Sequence, residues 1–220
     1  MKTSRSRYST MKDWYHRNVL LHVVANLRKR DFVASYFPTI DALNRSILKT
    51  IPKSASIGVP GSVTIRELGI IEKLKERGNR VVQHWERGLT EKTDRAVRHA
   101  ETCADYYLTS ANAITLEGDI INIDGVGNRV AGMIYGPQNV IIVAGYNKVV
   151  HSVDEGIRRS KDIAGVMNAK RVDAKTPCTK TGICTDCNAK TRICRVISII
   201  QYRPWQTNIE VFLVHLHLGF

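Results

Sequence analysis

Two periodicities alternate along this chain. From residue 10 to 29, Trp14, Val19, Leu20, Val23, Val24 and Leu27 recur at helical spacing behind Ser9 or Thr10, which predicts a capped amphipathic helix. "FVASYF" predicts a short strand, and "TIDALNRSILKTI" a second helix. "SASIGV" predicts a strand ending at the Pro60-Gly61 turn, and "SVTIRELGIIEKLKERG" a helix closed by Gly78. "NRVVQHW" then reads as a strand, "EKTDRAVRHAETCA" as a helix and "DYYLTS" as a strand. The continuous apolar run "NVIIVAG" predicts a strand buried on both faces. "SVDEGIRRSKDIAGVMNAK" starts like a capping box, with Ser152 and Glu155, and predicts a helix. "RVISIIQY" and "IEVFLVHL" are rich in branched residues and predict two last strands.

Alternating strands and helices predict an α/β fold with a largely parallel central sheet flanked by helices. Neither a repeat nor a long linker interrupts the pattern, so residues 1–220 read as one domain, with an N-terminal helix at about 10–29 and a cysteine-rich excursion at 175–195. No stretch reaches the ~18–20 apolar residues that span a bilayer. The run "NVLLHVVANL" carries His22 and Asn26 and lacks a small-residue cleavage signal, so we expect a cytoplasmic protein with no membrane partner.

Charge narrows the partners. The formal net charge is +13, which favours an anionic ligand or an acidic partner. The excess is partly local: residues 158–195 hold ten Lys/Arg against three acids. A nucleic acid is disfavoured, because no RNP-like, helix-turn-helix or zinc-finger pattern accompanies the charge. The oligomeric state is not readable.

Four of the five cysteines fall in "CTKTGICTDCNAKTRIC", at Cys178, Cys184, Cys187 and Cys194. The spacing C-x5-C-x2-C-x6-C lets one loop present four thiolates to a single centre. Gly182 gives the turn freedom and Pro177 stiffens its start, while Lys180, Lys190, Arg192 and Arg195 offset thiolate charge. A [4Fe–4S] cluster ranks first, Zn2+ second, since four-cysteine zinc sites usually show two C-x2-C pairs. Disulfides rank third in a reducing compartment. The fifth cysteine, Cys103, reads as a core residue of a helix.

Two glycine-rich turns suggest a pocket. In "SIGVPGSVT" the Gly61, Ser62 and Val63 backbone N–H groups, with the Ser62 and Thr64 hydroxyls, form a candidate anion cradle. "TLEGDIINIDGVGNRVAGMIYGP" places Glu117 and Asp119 near Asn128 and Arg129. The two carboxylates are candidates for acid–base work on an anionic substrate held by Asn128 and Arg129. Polar turns of a hairpin-like excursion would give the same residues. Lys148 stands just beyond "NVIIVAG", where ligands of open α/β sheets bind. His215 and His217 share one face of the last strand, a position more typical of partly buried residues than of a metal pair.

Together, "SIGVPGSVTIRELG", "ADYYLTSANAITLEGDIINIDGVGNRVAGMIYGPQNVIIVAGYNKVV", "EGIRRSKDIAGVMNAKR" and "IEVFLVHLHLGF" resemble the lactate-utilisation (LUD) domain family. The resemblance is nearest to small members with a four-cysteine segment, here "KTPCTKTGICTDCNAKTRIC". It implies a fold like that of ribose-5-phosphate isomerases and CoA transferases. It also implies a setting of oxidation of lactate or a related 2-hydroxy acid, beside redox partner proteins. The alternative is an isomerase- or acyl-transferase-like enzyme for an anionic small molecule, with the cysteines purely structural.

Overall fold

A computed structural model describes residues 7–85 and 88–220. Its central sheet has six parallel strands in the order β1 (Val33–Phe37), β10 (Asn208–Val214), β7 (Asn139–Gly145), β4 (Tyr106–Ser110), β2 (Ile57–Gly58) and β3 (Val81–Val82). The expected α/β class with a largely parallel sheet is therefore present. A second sheet runs β8 (Val149–Val150), β5 (Ala113–Thr115), β6 (Ile120–Asp124) and β9 (Val196–Ile200). In it β6 is antiparallel to both neighbours. The segment "RVISIIQY" thus joins this small sheet, while "IEVFLVHL" enters the central one.

Alternation explains how β7 and β10 bury both faces. Val140, Ile142, Ala144, Val211 and Leu213 pack with Leu20, Val23, Val24 and Leu27 of α1 (Arg7–Lys29) and with Met133 of α6 (Asn128–Ile134). Ile141, Val143, Phe212 and Val214 face Leu43 and Ile47 of α2 (Ile40–Thr50), Ile65 of α3 (Val63–Glu67), and Ile70, Ile71 and Leu74 of α4 (Ile70–Glu76). Trp14, expected in the α1 stripe, is exposed instead. The polar Asn26 fits within that buried face because its amide donates to the Leu116 carbonyl at 2.9 Å and meets His22 at 2.9 Å.

Two expected helices are interrupted. The run from Ser62 to Gly78 breaks after α3, because Gly69 adopts φ 61° and buried Asn44 donates to the Leu68 carbonyl at 2.9 Å. The helix after Ser152 runs as α7 (Val153–Arg159), a π-helical turn at Ser160–Gly165, and α8 (Val166–Arg171). The extra residue of a π turn shifts the register of the helix across it. From α8 the chain passes through α9 (Cys178–Thr181) and the cysteine loop into β9. Cys103, expected in the core, is exposed at the end of α5 (Glu91–Thr102).

Gly58 of β2 lies flat against the backbone of Glu101 on α5, where any Cβ would collide with the Glu101 carbonyl. Gly58→Ala is expected to destabilise the protein by about 1–3 kcal/mol. A urea melt reads this as a lower midpoint at unchanged slope. A midpoint equal to wild type would contradict the packing of α5 on β2.

Candidate functional site

Beyond the carboxyl ends of β2, β4 and β7 lies a cavity of about 390 Å3, the usual ligand position of open parallel sheets. Gly61, Ser62, Val63, Thr64, Asn128, Arg129 and Lys148 all line it. The structure therefore brings every expected anion-site residue into one place. Glu117 and Asp119 are not among them. Glu117 is exposed at the β5–β6 turn, and buried Asp119 is ion-paired with Arg30 and accepts from the Thr115 hydroxyl at 2.8 Å. Neither carboxylate reaches the cavity.

The floor is built from buried Lys148 and half-buried Arg129, most of whose donors are already used. Lys148 Nζ donates to Thr64 Oγ1 at 2.7 Å, Ser110 Oγ at 2.8 Å and the Ala111 carbonyl at 3.0 Å. Burial, then the nearby Arg159 and Arg129 charges, holds this amine well below the ordinary lysine range. The Arg129 guanidinium donates to the Ser110 carbonyl at 3.0 Å, Asn122 Oδ1 at 2.6 Å, Asn112 Oδ1 at 2.8 Å and the Ile123 carbonyl at 2.6 Å. Burial lowers its pKa as well. Ser62 is likewise committed: its hydroxyl caps α3 by accepting from Ile65 N at 3.3 Å. Asp124 caps α6, accepting from the Arg129 and Val130 backbone N–H groups at 3.0 and 3.1 Å.

Free cationic donors come from residues the sequence did not single out. Arg98 donates through Nε to Asp94 at 2.6 Å and through Nη1 to Asn128 at 3.4 Å. Its Nη2 has no protein partner among the described residues. Among the described residues, Arg171 uses only Nε, on Asn168 Oδ1 at 2.9 Å. Its guanidinium lies 4.1 Å from the Trp85 ring centroid, and that of Arg66 lies 3.5 Å from the same ring. Burial, then the Arg171 charge, pulls Arg66 down to about 10. His84 also lines the cavity, with fully buried Glu101 behind it. "NRVVQHW" carries no periodic sign of this, since only two of its residues form strand and the His84 partner stands seventeen positions on.

The four cysteines share a second, small cavity of about 20 Å3, lined by Cys178, Cys184, Cys187 and Cys194 with Ala169, Thr176, Arg192 and Ile193. All four are free and partly buried, between mostly exposed neighbours. Arg192 fixes the loop: its guanidinium donates to the Cys194 carbonyl at 2.7 Å, the Cys187 carbonyl at 2.7 Å and Asp186 Oδ1 at 2.6 Å. Lys161, on the π turn, pairs with the same Asp186 oxygen at 3.1 Å. Burial raises the Cys194 thiol pKa, and the other three cysteines add to it. Such a donor set suits a four-thiolate centre, whose positive charge would relieve that repulsion. Among the described residues, no three His, Cys, Asp or Glu side chains stand close enough together to hold a metal ion. The His215 and His217 rings pack instead against aromatic neighbours, His215 Nδ1 lying 3.1 Å from the Tyr36 hydroxyl.

One side chain joins the two cavities: Ile193, next to Cys194, lines both. On the far side, Gly125 lies against the Ile193 backbone, where a Cβ would come within 3.0 Å of its carbonyl oxygen. Among the described residues, no helix is long and apolar enough to cross a membrane.

The chain is similar to a solved DUF162-family protein from Deinococcus radiodurans, at 16% identity and a TM-score of 0.52, over 90% of this chain and 98% of that one. At that identity the likeness speaks for the fold alone. No curated protein matches the chain. The LUD domain family profile matches residues 20–214. With nearly the whole α/β body inside that span, the chain belongs to the LUD domain family.

Proposed function

We propose that this LUD-domain protein holds a [4Fe–4S] cluster through Cys178, Cys184, Cys187 and Cys194 and supports oxidation of lactate or a related 2-hydroxy acid in the adjoining cavity. The observation that carries the reading is the shared Ile193 wall, which puts a four-thiol loop one residue from a cationic pocket of small-molecule size. When bound, such a cluster supplies one-electron transfer. The protein's own residues bind and orient the substrate. The carboxylate of a 2-hydroxy acid meets the unused N–H groups of Arg98 and Arg171, while Lys148 and Arg129, whose ammonium and Nη donors are taken by the protein, add positive potential from below. The Trp85 ring, stacked with the Arg66 and Arg171 guanidinium groups, limits the width of the site. Electrons would leave to a redox partner protein. Zn2+ in the same thiols would make the loop a structural staple and remove the redox role. An isomerase- or acyl-transferase-like activity resting on Glu117 or Asp119 gains no support, because both lie outside the cavity.

Three results test this reading. Anaerobically purified protein is expected to contain iron and acid-labile sulfide, with visible absorbance that dithionite bleaches. Zinc in place of iron would contradict the redox role. Cys184→Ser is expected to lose the metal while the far-ultraviolet circular dichroism stays that of the wild type, because every ligand sits in one loop outside both sheets. Unfolding of the whole chain would contradict that independence. Arg98→Ala is expected to weaken L-lactate binding about tenfold or more, the scale of one lost charge-assisted hydrogen bond. Calorimetric titration showing equal affinity would remove Arg98 from the site.

A further inference from the structure

Fully buried Glu101 on α5 faces one side chain that also faces the cavity. Its Oε1 accepts from His84 twice, from the backbone N–H at 2.6 Å and from ring Nδ1 at 2.7 Å. Among the described residues, Glu101 Oε2 has only a long contact, from Asn128 Nδ2 at 3.5 Å. The His84 ring is itself only 8% exposed, so the pair is held in one orientation. Its other nitrogen, Nε2, has no protein partner among the described residues. That nitrogen lies against the Gly61 turn: a Cβ at Gly61 would come 3.5 Å from His84 Nε2 and 3.0 Å from Trp85 Nε1. Glycine at this position keeps the approach to Nε2 open.

This geometry has a chemical consequence. A carboxylate at Nδ1 favours the tautomer that carries its proton there, which leaves the Nε2 lone pair facing the cavity. The hold of one oxygen on both ring and backbone also restricts ring rotation, so little ordering remains to be done when a substrate arrives. The backbone bond from His84 ties the end of β3 to α5, and the second bond, to ring Nδ1, is the one that orients the imidazole.

We propose that His84 is the proton-accepting residue of the cavity, with Glu101 its positioning residue, and that it acts on a hydroxyl of the bound anion. The inference rests on the 2-hydroxy-acid reading for the identity of that hydroxyl, and on nothing in the cysteine loop. In the step the substrate O–H bond breaks, an Nε2–H bond forms, and the electron pair stays on the substrate oxygen. The resulting imidazolium keeps its Nδ1–H on Glu101, which stabilises the new charge. The step moves one proton and no net electrons. It requires the anionic head at Arg98 and Arg171 and the hydroxyl toward the Gly61 turn, where Nε2 stands.

The test is long-range proton–nitrogen NMR on the full-length chain with 15N-labelled histidine, the His84 signals being assigned by their loss in His84→Gln. In the neutral ring the expected His84 pattern is a protonated, strongly deshielded Nδ1 and an unprotonated Nε2. Glu101→Gln is expected to weaken the Nδ1–H deshielding. L-lactate is expected to shift the Nε2 resonance of His84 more than that of any other histidine, and inorganic phosphate to do the same as a simple anion. A resting Nε2–H tautomer would overturn the proposal, as would an Nε2 that responds to neither probe. A response to phosphate but not to lactate would keep His84 as the proton acceptor and overturn the 2-hydroxy-acid reading.

Discussion

Lys148 is the tie on which the cavity depends. Its three donors reach Thr64 after β2, Ser110 at the end of β4 and Ala111 on the way to β5, so one ammonium fastens the central sheet to the smaller one. Arg129 repeats the device from α6, bonding Ser110, Asn112, Asn122 and Ile123. A buried ammonium and a half-buried guanidinium without a carboxylate in contact would be costly if left bare. They persist because hydroxyls, amides and carbonyls satisfy nearly every donor. The same saturation determines their role. They shape the site and charge it, which in the proposed reading leaves the binding to the free N–H groups at the rim.

From that tie follows the separation of tasks across the molecule. The central sheet and its flanking helices provide rigidity. The smaller sheet closes one side of the cavity and carries the cysteine loop at the start of β9. The loop needs little from the body: Arg192 gathers three acceptors within it, and Lys161 attaches it to the π turn through Asp186. Gly165 ends that turn at ordinary contact distance from Cys194, a Cβ there meeting Sγ at 3.4 Å. The irregular helix, the thiol loop and the cavity wall thus meet at one corner.

Much of this was legible in the residues, and the remainder was hidden for identifiable reasons. Short-range signals placed residues together: Lys148, after a buried strand, and Gly61–Thr64, in a glycine turn between strand and helix, line one cavity, and the four closely spaced cysteines share a small one. Signals that depend on a distant partner did not. Whether a cation is saturated or free depends on acceptors from three or four separate segments, so Lys148 and Arg98 look alike in sequence and differ in the fold. Asp119 looks catalytic beside Gly118 until Arg30, eighty-nine residues away, claims it. His84 and Glu101 lie in segments of unremarkable pattern and acquire meaning only when β3 and α5 pack side by side. The break at Gly69 sits inside an unbroken helical apolar period, and needs buried Asn44 to satisfy the freed carbonyl.

A crystal structure from oxygen-free material soaked with L-lactate, with anomalous data collected at the iron edge, addresses the central claim most directly. The expected map has an iron peak enclosed by Cys178, Cys184, Cys187 and Cys194 behind Ile193, and a lactate carboxylate against Arg98 and Arg171 on the other side of that residue. Cysteines spread apart with no anomalous peak, or lactate bound anywhere other than this cavity, would contradict the pairing of a redox centre with an adjoining anion site.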